Sequence, residues 1–139
     1  MVYKKAFVDN DILIDLLLQR EPFSIFSKSL LNDAVRQMIE LNTSSLILAN
    51  IHYVISKNLN KAEAINSVKY IMSLIKILPF EESHISAAIA ANATDFEDSV
   101  QYYIAAGNNC DLIISRNIKH YKKYDLPVLT AEDFLRKIL

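Results

Sequence analysis

Short, uniformly apolar runs recur along this chain between longer stretches whose apolar residues return every three to four positions. The first pattern predicts buried strands and the second amphipathic helices. Residues 5–8 (Lys5-Ala6-Phe7-Val8) form a first strand that stops at Asp9-Asn10-Asp11. Ile12-Leu13-Ile14-Asp15-Leu16-Leu17-Leu18 follows as a largely buried helix, ended at Glu21-Pro22 because the residue before proline avoids the helical region. Ser24 is expected to cap one long helix with Phe26, Leu30, Ala34, Met38 and Leu41 on its inner side. Residues 43–46 form a second strand, and residues 48–57 a helix. Asn60-Lys61-Ala62-Glu63 resembles a capping box for a helix that buries Ile65, Val68, Met72 and Ile75. Residues 77–80 are a third strand, whose Pro79 suits a sheet edge or a strand end. A helix over 83–92 comes next. Asp95 then caps another whose inner face is Val100, Tyr103, Ile104 and Gly107. Residues 111–115 are the clearest strand, residues 127–129 a fifth, and Thr130-Ala131-Glu132-Asp133 caps the last helix.

Strands that alternate with helices imply right-handed crossovers, a parallel sheet and helices on both of its faces. In such sheets a ligand binds beyond the carboxyl ends of the strands, where the strand order reverses. The polar residues just past each strand end are therefore the candidates for chemistry.

Composition narrows the options. A chain of 139 residues fits one domain, 1–139, large enough to be stable without disulfide or structural metal. Cys110 is the lone cysteine, which excludes an internal disulfide and fits a reducing compartment; it precedes an apolar strand and is expected to be buried and inert. The start, Met1-Val2-Tyr3-Lys4-Lys5, lacks the apolar region of a signal peptide, and no run is long enough to span a bilayer, so the chain reads as cytoplasmic, with no membrane partner. Gly107 is the single glycine, which excludes a dinucleotide fingerprint, a P-loop and a nucleophile elbow. A net charge of −1 means that any nucleic-acid contact must come from a local basic patch.

Three polar clusters fall at strand or helix ends: Asp9 with Asp11; Asp95, Glu97 and Asp98; and Ser115, Arg116 and Asn117. Carboxylates facing one another across a cleft need a cation between them, and Mg²⁺ or Mn²⁺ with oxygen ligands is the natural occupant. Such an ion polarises a phosphate and acidifies a bound water. Structural roles compete with this. Asp95 suits a helix N-cap, Asp11 could cap the first helix, and Glu97 and Asp98 each gain roughly 0.3–1 kcal/mol from a helix dipole. Asp15, among leucines, needs a partner, and Asp111 suits a structural bond at a strand start. Asp9 offers stability nothing obvious, which favours a metal or phosphate site. Arg116, Lys119, His120, Lys122 and Lys123, interleaved with Tyr121 and Tyr124, form an acid-free stretch that could contact phosphates and stack a base, with Arg20 as a candidate to join it; a solvated loop is the competing account. His52 and His84 stand apart without zinc-like spacing and are assigned to surface or packing.

Phe7-Val8-Asp9-Asn10-Asp11-Ile12-Leu13-Ile14-Asp15-Leu16-Leu17 resembles the opening of PIN domains. Asp95-Phe96-Glu97-Asp98-Ser99-Val100-Gln101-Tyr102 is similar to their mid-chain acidic segment, residues 110–117 to their fourth strand, and residues 127–135 to their ending. The resemblance implies a three-layer α/β/α sandwich around a central, mainly parallel sheet of four to five short strands. It implies a Mg²⁺- or Mn²⁺-dependent ribonuclease acting on RNA, often a toxin paired with an antitoxin protein and often a homodimer. By position, Asp9 and Asp98 match metal-binding acids and catalytic residues, while Asp11, Asn50, Glu97 and Asn117 form a second tier. Ser115, Arg116, Lys119 and His120 are the expected substrate contacts. Asn50 stands where the family commonly has glutamate, and Asn117 or His120 where a fourth acid often lies, so one tight metal at most and weak activity are expected. Two rivals remain: a PIN fold that only binds RNA or protein, and a haloacid-dehalogenase-type phosphohydrolase with Asp9 as nucleophile and Asp11 as acid/base. For the latter, the later glycine-aspartate motif is missing, because Asn108 follows Gly107.

Overall fold

The computed structural model describes residues 3–138. Its elements run β1 (Lys5–Val8), α1 (Asn10–Leu17), α2 (Ser24–Leu30), α3 (Asp33–Met38), β2 (Glu40–Ser44), α4 (Ser45–Asn58) and α5 (Lys61–Leu74). Then come β3 (Lys76–Leu78), α6 (Glu82–Ala91), α7 (Phe96–Gly107), β4 (Leu112–Ile114), a 3₁₀ turn (Ile118–Tyr121), β5 (Val128–Leu129) and α8 (Ala131–Ile138). The sheet has five strands in the order β3-β2-β1-β4-β5, and every pairing is parallel. With helices flanking it, this is the expected α/β architecture.

The connectivity sets the position of the site. From β1 the chain first builds outward to β2 and β3, then returns to add β4 and β5 on the other side. The order therefore reverses between β1 and β4, where Ala6, Phe7 and Val8 lie level with Leu112, Ile113 and Ile114. Ala6, Phe7, Val8, Leu112, Ile113 and Ile114 have no exposed surface, as central strands covered on both faces require. One side chain and one backbone amide extend the ladder at this end. Thr43 Oγ1 donates to the Val8 carbonyl at 2.9 Å, and the Asp9 amide donates to the Ile114 carbonyl at 2.9 Å. Pro79 directly follows β3, an edge strand.

Several boundaries differ from the sequence expectations. The helix expected over Ser24 to Leu41 is broken, because Asn32 caps a new one by accepting from the Ala34 amide at 2.9 Å. Leu41 consequently lies in β2, buried, and Met38 is exposed. Ser24 is no cap; it lies inside α2 and donates to Glu21 Oε1. The first helix stops at Leu17, before proline acts: the Arg20 amide donates to the Asp15 carbonyl and the Gln19 amide to that of Leu16, with Gln19 at φ 52°. This is a Schellman stop with glutamine in the left-handed position. Asn109, at φ 63°, ends α7 likewise, with Cys110 bonded back to Ala105. A chain with one glycine uses amide side chains at such stops. The second strand runs from Glu40 to Ser44, earlier than expected, and it ends there because Ser44 Oγ caps α4 by accepting from the Ile47 amide. In α5 the buried positions are Ala64 and Ile71, while Ile65 and Met72 face solvent. Gly107 is exposed rather than internal. Asp95, Asn60 and Thr130 cap their helices as expected. Asp111 accepts from the Lys4 and Lys5 amides, a structural role.

Candidate active site at the reversal of the sheet

Asp9 ends β1 in extended conformation and starts α1, its Oδ1 accepting from the Asn10 amide at 2.8 Å. Its Oδ2 accepts from Ser115 Oγ at 2.8 Å and from the Tyr121 hydroxyl at 2.9 Å. Only 4% of the residue is exposed, yet all three donors are neutral. Burial pushes its carboxyl above the usual range, against the pull of those hydrogen bonds. Tyr121 is itself buried beside this charge and is held well above its usual pKa, so it remains a phenol able to donate.

Asp11 lies in the first turn of the same helix. Its Oδ2 accepts from the Arg116 amide at 3.0 Å, and its Oδ1 is buried without a hydrogen-bond partner. Its carboxyl is pushed up to about 7, first by burial and then by the Asp9 charge. Asp98 enters from the first turn of α7 and is pushed up to about 6, again by burial and then by Asp9. His120, on the 3₁₀ turn after β4, places Nδ1 2.5 Å from Asp98 Oδ2 and 3.5 Å from Asp95 Oδ2. Asp95 thus both caps α7 and joins the cluster.

These residues line one cleft of about 540 Å³. Asp9, Asp11, Asp95, Glu97 and Asp98 contribute carboxylates to its lining, and His120 is the one basic side chain among the described lining residues. Leu46, Phe80, Ile85 and Phe96 form an apolar wall. Asn50 and Asn117 also line it; Asn50 Nδ2 donates to Asn10 Oδ1 at 3.0 Å. At the floor, Ser44 Oγ donates to the buried Gln101 at 2.9 Å.

The donor set fits a hard divalent cation. Five carboxylates share the cleft with a single basic side chain, ligand atoms of Asp95, Asp98 and His120 lie within 4.8 Å of one another, and one buried oxygen of Asp11 lacks any partner. Oxygen ligands of this kind hold Mg²⁺ or Mn²⁺.

Asp9, Asp98, Asp11, Asn50, Glu97, Asn117 and His120, separated in sequence, meet in this cleft. Three expected substrate contacts do not line it. Ser115 is fully buried and spends its hydroxyl on Asp9. Arg116 turns away to grip Asp15 through Nε at 2.6 Å and a terminal nitrogen at 2.9 Å, and its guanidinium stacks over Phe23 at 4.0 Å. Lys119 is exposed outside the cleft. The neighbouring tyrosines are structural rather than base-stacking. Tyr121 is 1% exposed, and Tyr124 stacks on Tyr102 at 4.1 Å while donating to Ser99 at 2.7 Å. Asp15 is thereby the fully buried half of an ion pair whose Arg116 side remains 31% exposed. His84 is a capping residue whose Nδ1 accepts from the Glu81 amide, and Cys110 is buried with its thiol pushed up to about 12. Sequence reasoning missed Asn10, Gln101 and the Tyr121 bond to Asp9. No local pattern marks these, since each depends on partners many residues away.

Residues 5–119 match the model of the PIN domain family. The chain is 30% identical to Ribonuclease VapC1 of Aquifex aeolicus (strain VF5), covering 96% of this chain and 95% of that one. Among solved structures it resembles VapBC-1 from nontypeable Haemophilus influenzae, with TM-score 0.71 at 17% identity over 92% of this chain and 98% of that one. It also resembles Mycobacterium tuberculosis VapC20, a Sarcin-Ricin loop cleaving toxin, with TM-score 0.69 at 10% identity over 85% and 94%. At those identities the structures speak for the fold alone. The phosphohydrolase alternative is left without support. A strand order that reverses beside Asp9, a cleft of gathered carboxylates and a family match across most of its length together place this chain in the PIN-domain family.

Proposed function

We propose that this chain is a divalent-metal-dependent endoribonuclease and the toxin of a toxin–antitoxin pair. The observation that carries this reading is Asp9: a carboxylate buried at the reversal of the sheet, held only by neutral donors and facing Asp98 in one acidic cleft. The likeness to Ribonuclease VapC1 and to structures of VapBC complexes supports the ribonuclease and antitoxin assignments. A protein antitoxin, RNA and a second copy of the chain are the partners we infer, in the cytoplasm.

Asp9, Asp11 and Asp98 would hold the ion, with Asn50, Glu97 and Asn117 placed to bind its waters. When bound, Mg²⁺ or Mn²⁺ supplies a Lewis acid for the phosphate and acidifies an attacking water. The protein's own part is orientation. Ser115 and Tyr121 fix one Asp9 oxygen, the Asn10 amide fixes the other, and the Arg116 amide fixes Asp11, so the ligands meet the substrate already in place. The apolar wall of Leu46, Phe80, Ile85 and Phe96 limits water on one side of the cleft.

A second reading, binding without turnover, is favoured by one specific arrangement: Asn50 offers an amide that is already engaged by Asn10. The test is Mn²⁺-dependent cleavage of single-stranded RNA by the wild type and by Asp9→Asn, purified identically. Cleavage by the wild type alone supports the nuclease. RNA binding by both without cleavage supports the binding module.

A further inference from the structure

At the outer end of the cleft, Asp95, Asp98 and His120 bring one ligand atom each to within 4.8 Å of the others. Backbone elements place these three partly exposed side chains. Asp95 is fixed as the N-cap of α7, which sets Asp98 one turn on, and the 3₁₀ turn Ile118–Tyr121 carries His120. Tyr121, the next residue, is anchored in the core on Asp9, which fixes that turn relative to the cleft. Asp11, whose Oδ1 is buried without a partner, lines the same cleft. The inference rests on the metal reading of this site and deepens it by addressing which metal is held.

We propose that His120 Nδ1 is a ligand of the bound cation, together with Asp98 and Asp95, and that this nitrogen makes the site select Mn²⁺ or a later transition ion over Mg²⁺. The chemistry follows from the donor atom. Mg²⁺ demands near-ideal octahedral oxygen coordination and gives up water reluctantly. Imidazole instead suits transition ions, whose affinity for a mixed nitrogen and oxygen site rises from Mn²⁺ onward. The same Nδ1 already points at Asp98 Oδ2 at 2.5 Å, so an ion entering between them replaces one hydrogen bond with two coordinate bonds and no change of fold. The His120 side chain is 46% exposed, which leaves it room to adjust to the metal distance.

The test is pulsed electron paramagnetic resonance on Mn²⁺-loaded full-length protein, with titrations of Mn²⁺ and Mg²⁺ alone by calorimetry. The wild type is expected to show a nitrogen coupling that changes with ¹⁵N-histidine labelling and disappears in His120→Gln. Mn²⁺ affinity in that variant should fall by at least the roughly 10–100-fold that even an outer ligand partner contributes. His120→Asp should narrow the preference for Mn²⁺ over Mg²⁺. Tight Mn²⁺ binding without any nitrogen coupling, or a coupling retained in His120→Gln, would overturn the role of His120 and leave the metal site of the proposed function standing. Failure of the wild type to bind either ion would overturn both.

Discussion

Helix α1 begins and ends its buried stretch beside aspartates that the protein treats in opposite ways. Asp15 has no exposed side-chain surface, and Arg116 meets it with two hydrogen bonds and a full positive charge. Asp9, as deeply placed, receives three hydrogen bonds but no cation. The two sites are close in the fold, since Arg116 immediately follows the Ser115 that serves Asp9. A single element therefore directs its guanidinium to one carboxylate and only a hydroxyl to the other. Pairing a buried charge is what stability requires. Leaving Asp9 unpaired, with Asp11 and Asp98 gathered around it, costs stability unless a cation arrives.

The largest effect expected from breaking this contrast is on the paired side. Arg116→Met strands Asp15 as a lone buried charge and should lower unfolding stability by about 3–5 kcal/mol, measured by urea denaturation. The double variant Arg116→Met with Asp15→Leu should recover most of that loss, because an apolar pair can replace a buried ion pair at little cost. On the unpaired side, Tyr121→Phe and Ser115→Ala each remove one donor to Asp9 Oδ2. Each should weaken Mn²⁺ binding and RNA cleavage by roughly 10–100-fold, as loss of an outer-shell partner does. Equal activity in both variants would mean that Asp9 needs no orienting.

Acidity sharpens the contrast further. Burial and mutual repulsion raise the carboxyls of Asp9, Asp11 (to about 7) and Asp98 (to about 6) above their unfolded value of 3.8. The folded metal-free protein thus holds more protons than the unfolded chain from about pH 4 to pH 7, so its stability must fall as pH rises through that window. Thermal melts without metal should show a lower midpoint at pH 7.5 than at pH 5.5. Saturating Mn²⁺ should reverse the trend, because the ion binds the deprotonated acids. The smallest expected change is in Asn50→Asp, which adds a charge where only an amide now meets Asn10. A modest gain in Mg²⁺ affinity should follow, read by calorimetry.

Much of this was legible in the chain because it is local. Asp9 closes an apolar strand, Asp98 lies in the first turn of a capped helix, and the alternation of strands and helices points to the sheet end where both meet. Glu97 and Asn117 were reached by the same logic, whereas Asn50 was legible only through the resemblance to the family. The fate of Arg116 was hidden, since a basic residue after a strand looks alike whether it faces phosphate or a buried aspartate 101 positions earlier. Tyr121 was misjudged for a similar reason: only the folded chain reveals that its hydroxyl ends on Asp9 rather than in solvent. The early stop of α1 escaped notice because glycine marks such stops and Gln19 occupies this one.

The most direct test of an unpaired, cation-seeking carboxylate is the melting temperature of the wild type and of Asp9→Asn at pH 7.5, with and without Mn²⁺. Asparagine can still cap α1 through its one oxygen, while its amide nitrogen donates to the Ser115 and Tyr121 hydroxyls, which turn to accept, so the fold is kept. The wild type should gain stability with Mn²⁺, whereas Asp9→Asn should melt higher than the metal-free wild type and gain little from the ion. An equal gain from Mn²⁺ in both proteins, or an Asp9→Asn protein less stable than the metal-free wild type, would contradict the account.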